Sequence, residues 1–222
     1  MKLLDKIERP KPVSELVRDQ LRADIISGRL ELGAKISENH LSELYGVTKA
    51  PIRSAFIRLE AEGLLEIRAQ VGTFVFSPAE EEVRALCELR TALELEALAL
   101  AADRNFAELL RETELICGAM RNALTHGELA TYQELDTALH LTIVRCANSP
   151  MLGEAYASGI SGRFAALRTR FGARADHVAA SSTEHYEICE AIAAGKIDHA
   201  QLMLREHIGH TRDYFARLLK GH

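Results

Sequence analysis

The chain has 222 residues, 47% of them hydrophobic and 27% charged, which suits two packed domains and excludes disorder, collagen or one continuous coiled coil as a description of the whole. Its net charge of −5 excludes a uniformly basic nucleic-acid coat, and no run of about 18 apolar residues predicts a membrane span. The charge is uneven: residues 1–76 hold 12 Lys and Arg against 11 Asp and Glu, the remainder 15 against 21. A near-neutral front part binds DNA if its cations share one face. Trp is absent while Ala and Leu abound, which favours helix. The opening Met1-Lys2-Leu3-Leu4-Asp5-Lys6 lacks a signal-peptide core, so the expected setting is cytoplasmic, without a membrane. Cys87, Cys117, Cys146 and Cys189 form no C-x-x-C pair, sit in apolar helical contexts and read as buried free thiols.

Three short helices are predicted first. Val13–Ser27 places Leu16, Val17, Leu21, Ile25 and Ile26 at helical spacing and stops at Gly28. Ser37 caps a second helix through Leu41 and Leu44, ending at Gly46. Thr48 caps a third, with Pro51 in its first turn and an inner stripe of Ile52, Phe56 and Leu59. Two β-prone runs, 64–67 and 73–76, flank a hairpin-sized connection at 68–72. This order is that of a winged helix–turn–helix with a two-stranded wing. After Ser77-Pro78 the pattern becomes long amphipathic helix over 79–102, 105–125, 127–147, 150–171, 175–194 and 197–219. Short breaks make neighbouring helices antiparallel. The expected fold is therefore mainly α: a winged helix–turn–helix over 10–77, then an all-α six-helix antiparallel bundle over 78–222.

A helix that enters the major groove needs donors near its N-terminal end. Lys49 and Arg53 lie four apart, opposite the apolar stripe; Arg53 suits a guanine edge, Lys49 a base or phosphate, and Arg68 the DNA backbone or minor groove. Ile25-Ile26-Ser27-Gly28-Arg29-Leu30, Gly46-Val47-Thr48, Pro51-Ile52-Arg53, Leu59-Glu60-Ala61-Glu62-Gly63-Leu64-Leu65 and Gly72-Thr73-Phe74-Val75 resemble the GntR family of bacterial transcription regulators. The resemblance implies operator contacts at Asn39, Thr48, Lys49, Arg53, Arg68 and Gly72. The family usually has Arg at the Lys49 position, often Thr at Ala50 and Glu at Ser54, so the operator sequence stays open.

In the third bundle helix Asp136 and His140 are four apart on a face that Leu139 and Ile143 turn inward. His185 lies on a stripe with Ile188 and Ile192, and His207 on one with Leu204, Thr211 and Tyr214. One carboxylate and three imidazoles suit Zn, Ni, Mn or Fe(II), with room for outside ligands. Glu88-Leu89-Arg90 with Glu94, Asp136-x-x-x-His140 followed by Ala147-Asn148-Ser149, Glu184-His185 with Ile188, and His207-Ile208 resemble the FadR C-terminal (FCD) domain, in its metal-binding type and six-helix, VanR-like branch. That resemblance implies a divalent metal on Asp136, His140, His185 and His207, not on His210, and a small carboxylate effector held by Arg90. Arg90 pairing with Glu94 is the plainer alternative; Arg163, Arg168 and Tyr186 are weaker effector candidates. His126, His177, His199 and His222 are expected to be solvated. The function implied is a homodimeric, ligand-responsive regulator, a repressor, on near-palindromic double-stranded DNA. Two alternatives are a metalloenzyme acting on a small organic acid and a metal that is purely structural. No catalytic residues are expected: no general base adjoins the proposed ligands, and no nucleophile arrangement, P-loop or dinucleotide fingerprint occurs. The Ala-rich face from Ala97 to Ala102 is a candidate dimer surface.

Overall fold

The computed structural model describes residues 10–220. They form two compact units, one holding α1 through Ile25 together with Arg29–Phe76, the other Ile26–Gly28 together with the chain from Ser77 on.

In the first unit α1 (Val13–Ile26) buries Val17, Leu21 and Ile25, one residue per turn. Leu16, expected in that stripe, is exposed instead, because a 3.6-residue period carries it round to the outer edge. After a short strand β1 (Lys35–Ile36), α2 (Glu38–Tyr45) starts at Ser37, whose Oγ accepts the His40 N–H at 3.5 Å, and ends at Gly46 in the left-handed region at φ 63°. α3 (Lys49–Ala61) buries Ile52, Ala55, Phe56 and Leu59; Thr48 occupies its N-cap position but makes no side-chain capping bond. β2 (Leu65–Arg68) pairs with β3 (Gly72–Val75) in register Leu65↔Val75 to Arg68↔Gly72. The wing has three strands rather than two. β1 joins β3 on its other edge through Lys35↔Phe74 and Ile36↔Thr73, giving the order β1-β3-β2. Two residues are too few to show a period of two in the sequence.

The second unit is all helix: α4 (Glu80–Arg104), α5 (Phe106–Thr125), α6 (Leu129–Cys146), α7 (Pro150–Tyr156), α8 (Gly162–Phe171), α9 (Ala175–Ala193) and α10 (Ile197–Leu219). Ala157–Ser161 joins α7 to α8 as a π-helical turn, so 150–171 is one helical stretch with a bulge inside it. Pro150 opens α7 at a position where its missing N–H costs nothing. Ala97 and Ala101 pack in the unit's own interior, which removes the core of the Ala-rich face from the dimer surface expected there. No helix among the described residues is long and apolar enough to cross a membrane.

The four cysteines are not all the free thiols that their apolar contexts suggest. Cys117 of α5 and Cys189 of α9 are joined by a disulfide across 72 residues, while Cys87 and Cys146 are free and buried. Each partner lies on the apolar stripe of its own helix, so no local spacing betrays the pair. Burial pushes the Cys87 thiol up to about 11, which leaves it unreactive. Chain denatured without reductant is therefore expected to show two titratable thiols, and four after reduction; four at the outset would contradict the bond. Closing so long a loop is worth about 4 kcal/mol at the chain-entropy limit, so reduction is expected to lower the thermal midpoint.

Candidate functional site

In the first unit the expected DNA-contacting side chains lie on α2, α3 and the wing. Lys49 and Arg53 are both exposed on α3, and Asn39 and Thr48 are exposed nearby in sequence. The Arg53 Nε donates to Glu38 Oε2 at 2.8 Å, an exposed ion pair between the two helices that leaves the terminal guanidinium nitrogens outside that bond. On the wing, Arg68 lies over the Phe74 ring at 4.6 Å and Lys35 at 5.8 Å, so two cations flank one aromatic. Gly72 contributes through what it lacks. It sits at φ 138°, and a Cβ there would come 2.6 Å from Lys35 Cε. Lys35 is the wing cation that sequence reasoning missed; it becomes visible only once β1 is known to lie beside β3.

In the second unit His140 of α6, His185 of α9 and His207 of α10 meet in the interior, each offering one ring nitrogen within 4.8 Å of the others. The imidazoles pack at centroid distances of 4.4 to 5.4 Å. Each ring is held through Nδ1: His140 against Glu94 Oε2 at 2.7 Å, His185 against the Tyr132 hydroxyl at 3.2 Å, and His207 against Glu184 Oε2 at 2.7 Å. The Nε2 atoms of His140 and His185 are buried with no hydrogen-bond partner. Asp136 brings Oδ1 to 3.5 Å from the first and 3.7 Å from the second.

Asp136 does not lack a basic neighbour, as its own helix suggests. Arg168 of α8, buried rather than at the surface, places Nη2 2.8 Å from Asp136 Oδ1, an ion-pair contact off the line of a hydrogen bond. Arg168 also donates to Thr137 Oγ1. Across the site Arg90 is fully buried; its Nε donates to Glu94 Oε1 at 2.6 Å, its carbon lies 4.0 Å over the Phe164 ring, and both Nη atoms have no partner. Arg90 thus pairs with Glu94 and still keeps two donors in hand. Tyr156 donates its hydroxyl to the same Glu94 oxygen at 2.7 Å.

The electrostatics favour neutral rings and charged acids. Burial, and for His140 and His207 the nearby Arg90 charge as well, hold all three imidazoles below their ordinary value. Burial works to raise the Asp136 and Glu94 carboxyls, but Arg168 with the three histidines around the one, and Arg90 with His140 around the other, together outweigh it, and both fall below the usual carboxylate range. Neutral imidazoles and an ionised carboxylate are the forms that bind a metal.

Other sequence candidates lie elsewhere. His210 is exposed and reaches Glu184 Oε1 at 2.6 Å from outside the cluster. Tyr186 packs on the α5–α9 core and under Arg121. Arg163 donates to the Gly159 carbonyl within its own helical stretch. His177, expected to be solvated, is half-buried and stacks on Tyr214 at 4.0 Å with the rings parallel, because the first turn of α9 lies against α10. His126 and His199 are exposed, and His222 lies outside the described residues. Tyr132 and Tyr156 are the site residues that sequence reasoning did not single out; Glu94 was foreseen only as a partner of Arg90, from its place four residues on, and Arg168 only as a weaker effector candidate, not as the partner of Asp136.

Comparison with known proteins agrees with this architecture. The family of bacterial regulatory proteins called gntR matches residues 13–75, and the FCD domain matches residues 85–210. A protein of Paenarthrobacter nicotinovorans, named as a D-xylose utilization operon transcriptional repressor, is 32% identical over 197 residues, 88% of this chain and 85% of that one. A GntR transcriptional regulator from Rhodococcus sp. RHA1 shares the fold at a TM-score of 0.79 and 21% identity, over 91% of this chain and 96% of that one. The metal-free FCD domain of TM0439 superposes at a TM-score of 0.57 and 21% identity, over 66% of this chain and 99% of that domain. The family and these relatives are transcriptional regulators rather than enzymes. With its winged helix–turn–helix and its FCD domain, this chain belongs to the GntR family of DNA-binding transcription regulators.

Proposed function

We propose that this regulator is a cytoplasmic homodimeric repressor of the VanR-like branch, released from a near-palindromic operator by a small carboxylate that binds beside a divalent metal. Lys49, Arg53, Asn39, Thr48 and Arg68 contact the DNA, with Gly72 clearing the path of Lys35. Asp136, His140, His185 and His207 hold the ion, and Arg90 takes the carboxylate. The observation that carries the reading is the trio of buried, neutral imidazoles, each pinned at Nδ1, two of them with an unpartnered Nε2. A buried imidazole nitrogen without a partner is costly, and three converging imidazoles, two of them with such a nitrogen, are the donor set of a Zn, Ni, Mn or Fe(II) centre. When bound, such an ion offers open coordination positions to an outside oxygen ligand.

Charge supports the class of effector. The two buried guanidinium groups, Arg90 and Arg168, balance the two buried carboxylates, Glu94 and Asp136. A divalent ion added to that balance leaves the site with excess positive charge even when the part-exposed Glu184 against His207 is counted, and an apolar surrounding does not hold such charge without anions. A carboxylate meets that demand, and the two unpartnered Arg90 nitrogens suit it as a fork. A neutral sugar, the class suggested by the name of the Paenarthrobacter relative, does not. To act, the acid must prefer one dimer arrangement over the other; a 100-fold preference is about 2.7 kcal/mol of shift.

Operator binding by the metal-loaded dimer, titrated with a panel of small carboxylates, tests the reading. At least one acid is expected to weaken binding by about 10-fold or more, and removal of the metal with a chelator is expected to abolish that effect. An acid effect that survives chelation would make the metal structural and leave the effector to Arg90 and Arg168.

A further inference from the structure

Glu94 has a place that neither the metal reading nor the effector reading assigns it. Its two carboxylate oxygens are divided between the two halves of the site. Oε1 accepts from Arg90 Nε at 2.6 Å and from Tyr156 at 2.7 Å, and Oε2 lies 2.7 Å from His140 Nδ1. Arg90 and Glu94 are fully buried and His140 all but so; no solvent stands between them to screen the contacts. The other two imidazoles are held by groups without such a second task. Tyr132 belongs to α6 and the α5–α9 core, and Glu184 turns its other oxygen to the exposed His210.

We propose that Glu94 is a positioning residue that couples anion binding at Arg90 to metal binding at His140. The inference rests on the metal-and-carboxylate reading given above and goes one step beyond it. A ligating histidine that donates its second N–H to a carboxylate is fixed in tautomer and orientation and becomes a stronger donor to the ion. Here the same carboxylate also neutralises Arg90. An anion arriving on the two unpartnered Arg90 nitrogens takes over part of that neutralisation and leaves more of the Glu94 charge for the His140 N–H. The imidazole then binds a cation more strongly. The sign is positive: acid tightens metal, and by reciprocity metal tightens acid. Tyr132 and Glu184, which touch only the imidazole side, serve metal affinity alone.

The test is a zinc titration of chelator-stripped full-length protein against a chromophoric competitor, with and without acetate as the simplest carboxylate. Glu94→Asp keeps a carboxylate opposite Arg90 but is one methylene short of spanning Arg90 and His140, so folding is preserved where Glu94→Gln would strand the guanidinium. Wild type is expected to bind zinc about 5-fold or more tightly with acetate present. Glu94→Asp is expected to bind zinc about 10-fold or more weakly and to show no acetate effect. Tyr132→Phe is expected to weaken zinc as well but to keep the acetate effect, a split that a merely structural role for Glu94 would not produce. An acetate effect of full size in Glu94→Asp, with its circular dichroism and thermal midpoint unchanged, overturns the proposal, because the anion would then act on the metal directly. No acetate effect in wild type also overturns it. Failure of the metal reading is separate and visible: wild type and His185→Ala would bind zinc alike.

Discussion

Arg53→Ala is expected to weaken operator binding by roughly 10- to 100-fold, the loss of one bidentate base contact. Arg53 stands on the exposed face of α3, opposite the buried Ile52, Phe56 and Leu59, so its removal leaves the core untouched. What the fold loses is an exposed pair with Glu38, worth at most about 1 kcal/mol. Arg53→Lys is expected to rescue little, because an ammonium has no planar fork. Lys49→Ala is expected to reduce affinity on all sequences more evenly and to flatten the salt dependence, as a phosphate contact does. Fluorescence anisotropy on a labelled operator, with circular dichroism as the control for folding, measures each. Operator affinity unchanged in Arg53→Ala would remove this side chain from the reading surface.

Arg90→Leu carries the largest expected effect on stability. The guanidinium is buried, stacked on Phe164, and holds a carboxylate that is buried as well. Removing one partner of such a pair typically costs about 3–5 kcal/mol, because the remaining charge stays desolvated and unpaired. For a protein of this size the thermal midpoint is expected to fall by about 10 °C. The paired change Arg90→Leu with Glu94→Leu is expected to recover only part of that loss: it removes the stranded charge but leaves the Tyr156 hydroxyl and His140 Nδ1 without their buried acceptor. Differential scanning calorimetry of the single and double variants, under identical metal loading, gives the comparison. A single variant as stable as wild type would mean that Glu94 finds its charge balance elsewhere.

The parts of this molecule legible in the sequence are those in which one helix declares its own inward face. Asp136 and His140 announce themselves by four-residue spacing beside Leu139 and Ile143, and His185 and His207 by the stripes they complete. The breaks between helices were equally plain, at Gly46, Pro150 and Gly195. What stayed hidden depends on two helices at once. Glu94 meets His140 across 46 residues and Tyr132 meets His185 across 53, contacts that no periodicity encodes. Arg168 read as no more than a weaker effector candidate, because nothing in its own helix says that Asp136 lies opposite. The Cys117–Cys189 bond is hidden for the same reason, and β1 because two residues form no pattern. The π turn at Ala157–Ser161 left no trace, since Ala, Ser and Gly accept either helical hydrogen-bond pattern.

One measurement bears most directly on the metal-dependent half of this account: the titration of chelator-stripped protein with Zn, Ni, Mn and Fe(II), followed by calorimetry beside His185→Ala and His207→Ala. The expected result is one tight site per chain in wild type, lost or weakened by several orders of magnitude in both variants. Wild type without a saturable site, or variants that bind as wild type does, would contradict it. Asp136, His140, His185 and His207 would then be a polar core, and the DNA-binding regulator would need an effector held by arginine alone.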